Sequence, residues 1–150
     1  MALGAEIKAF CESGGTLADE KAKLLKALGD FQGIITTLVG YAISSQASPD
    51  NAKEIYKVGL NTTRALFAAG DVIIAWLLLR MAEIAIAKPA DDFYVGKIAA
   101  AKHFVNQAAH LLMKKQNYSK RLAISKESLP LWLVMQWNHN PNLKQFTKLV

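Results

Sequence analysis

Between residues 65 and 87 only Gly70, Asp71, Arg80 and Glu83 are not apolar. An α-helix built from this stretch is hydrophobic around most of its circumference, so it has to lie among other helices rather than on a surface. That requirement points to an all-α fold: an antiparallel up-and-down bundle of three to four long helices with residues 61–87 as its central rod. The rest of the chain is consistent with it. Hydrophobic residues make up 52% of the 150 positions, with only four prolines and nine glycines, too apolar for disorder and too poor in chain breakers for a β-sandwich. One domain with one core suits this length.

The helices can be followed in order. Residues 5–10 read as a helix, with Ile7 and Phe10 on one face and Ser13-Gly14-Gly15 as its stop. Thr16 is the expected N-cap of the next helix, with Asp19 at N3 approximating a capping box. Along that second helix Leu17, Leu24, Leu28, Phe31, Ile35, Leu38 and Ala42 form a heptad-like seam, which leaves Lys21, Lys23 and Lys26 to a solvated face. Ser48-Pro49 opens a third helix, with proline at N1. Unbroken from Pro49 to Ala87 it would run to about 58 Å at 1.5 Å per residue, longer than its partners, so a break is expected near Gly59. Lys88-Pro89 ends it, and Asp91 or Asp92 caps a fourth helix that places Tyr94, Ile98, Ala101, Val105, Ala108 and Leu112 on one face. The short link makes helices three and four antiparallel neighbours with facing positions summing to about 180. Glu83 is then expected near Lys97, and Asp71 near His110 or Gln107.

Charge divides the chain. Residues 1–113 carry eleven basic and eleven acidic side chains, so the whole excess of +6 sits in the basic segment that follows, where Glu127 is the single acid. We therefore expect two parts, a helical bundle at 1–116 and a basic tail at 117–150. The tail lysines with Trp132 and Trp137 imitate a nucleic-acid or membrane patch, but no nucleic-acid partner is expected. No membrane span is expected either, because the longest unbroken apolar run, Val72 to Leu79, is far short of the ~20 residues a bilayer requires.

Candidate chemistry is sparse. Cys11 stands alone, which excludes an intrachain disulfide and a cysteine-based zinc cluster. With no secretory signal in MALGAEIKAF, a cytoplasmic location is expected and the sequon Asn61-Thr62-Thr63 is idle. His103 and His110 lie two turns apart, not at the i, i+4 spacing of a shared metal. No catalytic residue and no metal ligand emerges, and no cofactor-binding residue can be assigned. Asp71 is the one charge out of place, and a salt bridge to a neighbouring helix is the expected answer to its burial.

The residues EIKAF near the start, the long second helix, RALFAAGDVIIAWLLLRMAEIA at 64–85 and above all DFYVGKIAAAKHFVNQ at 92–107 carry a resemblance. Over residues 3–112 the chain resembles the C-terminal helical extension found in one branch of the acyl-CoA dehydrogenases. That resemblance implies a parent flavoenzyme that oxidises acyl-CoA thioesters to enoyl-CoA with FAD and a catalytic glutamate. In the family those parts lie upstream of this extension, so no catalytic residue carries over. The implied function is a non-catalytic structural or docking portion of such an enzyme in fatty acyl-CoA oxidation, inactive alone and without FAD of its own. Its expected partner is the catalytic part or a second copy of itself, with a homo-oligomer favoured. The alternative is a free-standing helical interaction module. Residues 117–150 depart from the family pattern.

Overall fold

The computed structural model describes residues 2–88 and 91–121; the expectations placed on Trp132, Trp137 and the rest of 122–150 lie outside the described residues. Four α-helices follow in order, α1 (Ala2–Glu12), α2 (Ala18–Ala47), α3 (Glu54–Ile86) and α4 (Asp92–Arg121), with a 3-10 turn at Pro49–Asn51. The fold is an all-α bundle, as expected. Helices α2, α3 and α4 pack pairwise on one another, and α1 lies against α2.

The inner face of α3 supplies Ala65, Ala68, Val72, Ala75, Trp76, Leu79 and Ala82 to the core, and α4 adds Ala101, Val105, Ala108 and Leu112, the face its spacing predicts. From α2 come Leu24, Ala27, Leu28, Ile34 and Leu38, with Phe31 partly buried. Ile35 is exposed where the heptad-like reading placed it inside. Because α2 packs against α1, α3 and α4, its buried face is wider than a single seam, and the 3.6-residue turn brings Ile34 inward.

The other departures sit at helix ends. α3 runs unbroken through Gly59, whose surroundings are open, and the interruption falls earlier, at the 3-10 turn. One exposed glycine costs a helix only about 1 kcal/mol, less than its neighbours' packing returns. At about 50 Å, α3 then outlasts its ~45 Å partners by less than one turn. Thr16 is not the N-cap of α2: Leu17 holds that position in the left-handed region at φ 66° and makes no side-chain cap bond. Gly14 and Gly15, also at positive φ, turn the chain there at no steric cost. Asp91 does cap α4, its Oδ1 accepting from Phe93 N at 2.9 Å.

α4 continues past Gln116 and buries Ser119 completely. Gln116 crosses α2 at Gly33, where a Cβ would overlap its amide, so Gly33 is the notch that admits it. Among the described residues α3 is also the one helix long and apolar enough to cross a membrane by length and composition, a test that the core helix of a bundle passes equally.

Trp76 is nearly enclosed, but its Nε1 has no hydrogen-bond partner among the described residues. Replacing it should separate packing from polarity. Trp76→Ala is expected to cost about 3–5 kcal/mol of unfolding free energy in urea. Trp76→Phe, which keeps a ring and removes the orphan donor, should cost less than half as much. Equal losses would mean that the indole N–H finds a partner.

Candidate docking surface and buried charges

The structure brings together three polar groupings and leaves one apolar face uncovered. The first grouping is centred on Lys21. Sequence reading placed this lysine on a solvated face, yet it is 2% exposed. Its Nζ pairs with Glu83 Oε1 at 2.6 Å, donates to Gly14 O at 2.7 Å and Ser13 Oγ at 3.1 Å, and lies 4.7 Å from the centroid of Phe10. One ammonium thus joins the end of α1, the first turn of α2 and the last turns of α3, and every one of its three donors is used. Glu83 is therefore not the partner of Lys97, which instead sits over the Phe93 ring at 5.3 Å. The signal available in sequence was Lys21 lying one turn before Leu24 on the apolar seam, a register that charge alone concealed.

Asp71 has the partner its position demands, although a different one from His110 or Gln107: Lys115 Nζ reaches it from α4 at 2.7 Å. The long lysine stem reaches back along α4, so Lys115 lies six residues beyond the position that faces Asp71 in the hairpin. Both side chains remain about a quarter exposed, as befits a strut at the edge of the bundle rather than a catalytic acid.

The third grouping closes the far end. Ser119 Oγ lies 3.4 Å from Asn61 Oδ1 and donates to Lys115 O at 3.0 Å, while Asn61 Nδ2 donates to Lys57 O at 2.9 Å. Tyr41 Oη donates to Ser119 O at 2.9 Å. The pair 61 and 119 meets the expected antiparallel sum of 180. Asn61 is wholly buried, so the sequon is inaccessible in the folded chain.

His103 and His110 are both exposed, and no cluster of metal-ligating side chains occurs among the described residues. Cys11 is half-buried, and burial pushes its thiol up to about 11, with Lys21 pulling down and Glu12 adding a smaller push upward. A thiol held neutral in this way is a weak nucleophile near neutral pH.

The uncovered face belongs to α3. Leu66, Phe67, Ile74, Leu77, Met81 and Ile84 are all exposed large hydrophobics on the side of the helix turned away from α2 and α4. Sequence reading recognised the all-round apolarity of this helix but could not say which side its neighbours would leave bare.

Residues 3–128 match the family described as acetyl-CoA dehydrogenase C-terminal like. The chain belongs to this family. It is also similar to the broad-specificity linear acyl-CoA dehydrogenase FadE5 of Mycobacterium tuberculosis, with 40% identity over 117 residues. That alignment takes in 71% of this chain and 19% of the relative, so the chain spans about a fifth of the relative's length. The family match reaches past Gln116 and past the end of α4, and it takes in the Lys21, Asp71 and Asn61 groupings.

Burial ranks the charged pairs. Lys21→Ala strands Glu83 and two further acceptors and is expected to cost about 3–5 kcal/mol in urea unfolding. Asp71→Asn at the part-exposed pair should cost about 1 kcal/mol; the reverse order would show that Lys21 is not the pin. For Cys11, alkylation by iodoacetamide at pH 8 should be slow, since only about one thiol in a thousand is ionised three units below its pKa. The rate should still be rising at pH 10, and a plateau at pH 9 would place the thiol in water.

Proposed function

We propose that this chain is the non-catalytic, structural and docking portion of an acyl-CoA dehydrogenase-like flavoenzyme of fatty acyl-CoA oxidation. The observation that carries this reading is where the similarity falls: the chain answers to the C-terminal family over residues 3–128 and to a fifth of a dehydrogenase. The described residues agree with a structural role. Three of their ion pairs, Lys21 with Glu83, Lys102 with Glu20 and Lys115 with Asp71, tie one helix to another. Proton abstraction beside a thioester would require a positioned carboxylate base within hydrogen-bond reach of the substrate, and FAD, which supplies the hydride acceptor in such enzymes, would be held by the catalytic part. A cytoplasmic location fits a chain whose one cysteine is a free thiol.

The purified chain should show no flavin absorbance and no reduction of an electron dye with acyl-CoAs of any length. It should bind a catalytic part prepared without its own helical extension. Yellow protein with dye-reducing turnover would overturn the non-catalytic reading. Failure to bind any such catalytic part would leave the free-standing module as the correct description.

A further inference from the structure

Helix α3 is built with its bulk on the wrong side for a bundle that ends at its own surface. Of its nine buried residues five are alanines, at 65, 68, 75, 82 and 85. Beside the buried Val72, Trp76 and Leu79 it carries a set of large hydrophobics that point outward, with Leu66 70%, Phe67 64% and Ile84 63% exposed. This arrangement leaves a continuous apolar stripe in water unless something covers it.

We propose that the covering element is the same face of a second copy, packed antiparallel about a two-fold axis. This inference stands on α3 itself and does not rest on the dehydrogenase reading. The outer stripe consists of Phe67, Gly70, Ile74, Leu77, Met81 and Ile84, and its intervals of three, four, three, four and three residues read the same in both directions. Reversing the helix about a point between Trp76 and Ala75 therefore lays stripe on stripe. Phe67 meets Ile84, Ile74 meets Leu77 and Gly70 meets Met81 of the second copy. The sizes fit as well as the positions, since the place where a Cβ would project from Gly70 is open and gives the Met81 side chain a hole to enter. No ionisable residue lies on the stripe, so the two-fold brings no like charges together. The stripe is about 26 Å long. With Leu66 it offers on the order of 600 Å² per copy, and the pair then clears the ~1,000 Å² expected of a specific interface.

The test uses the full chain. Sedimentation at micromolar concentration should give a dimer, and Leu77→Glu should weaken it on the order of a hundredfold with an unchanged helical circular-dichroism spectrum, because Leu77 is outside the core. His103→Glu, an equally exposed change on α4, should leave the dimer intact. Orientation is read by oxidation in a Cys11→Ala background. Ile74→Cys, next to the axis, should cross-link to its copy, while Ile84→Cys, whose copy lies about 25 Å away along the pair, should not. Cross-linking at both positions would mean a parallel pairing and would overturn the proposal. A monomer would overturn it too, and flotation of that monomer with phosphatidylcholine vesicles would assign the face to lipid.

Discussion

Everything in this fold follows from a helix that cannot tolerate water on most of its circumference. α3 needs two long neighbours to cover its inner face, and the sequence supplies them in α2 and α4, each cut to about its length. Alanines from α2, α3 and α4 pack in the core beside larger side chains such as Leu24, Ile34, Trp76 and Leu79. A core of this kind specifies proximity well but register poorly, since alanine surfaces slide past one another with little penalty.

Register comes from the polar pairs. Lys21 with Glu83 fixes α2 against α3 at one end, Asn61 with Ser119 fixes α3 against α4 at the other, and Lys115 with Asp71 braces the middle. Sliding α3 by a single turn would strand a buried ammonium and a buried amide together, which is far more costly than moving an alanine contact. Lys21 does more than pair: by holding Gly14 O and Ser13 Oγ it completes the end of α1, so the short first helix is attached through charge as well as through Ile7. The buried charges are therefore structural in the strict sense of deciding which neighbour each helix accepts.

Periodicity made the helices, the α3–α4 hairpin and the inner face of α4 legible in the sequence, because a 3.6-residue pattern survives any tertiary context. It failed where a residue's type and its place disagreed. Lys21 reads as surface by chemistry and is core by position. Gly59 reads as a breaker and is carried by the helix on either side of it. Thr16 reads as a cap, but the turn is set by Gly14, Gly15 and Leu17 at positive φ. Glu83 and Asp71 were assigned to the wrong partners for one shared reason: charged side chains several ångströms long select among neighbouring helices by reach, which residue spacing does not encode.

The two sides of α3 do different work. Its inner side carries five alanines beside Val72, Trp76 and Leu79, and its outer side leaves Leu66, Phe67, Ile74, Leu77, Met81 and Ile84 exposed. The bundle's stability and its binding then draw on separate faces of one rod, and a change on the outer face alters association without unfolding the inside. Folding and association are nevertheless linked. Covering the outer face stabilises the folded chain by mass action, because the unfolded chain has no such face to cover. A helical unit of this design is held more firmly the more fully it is assembled.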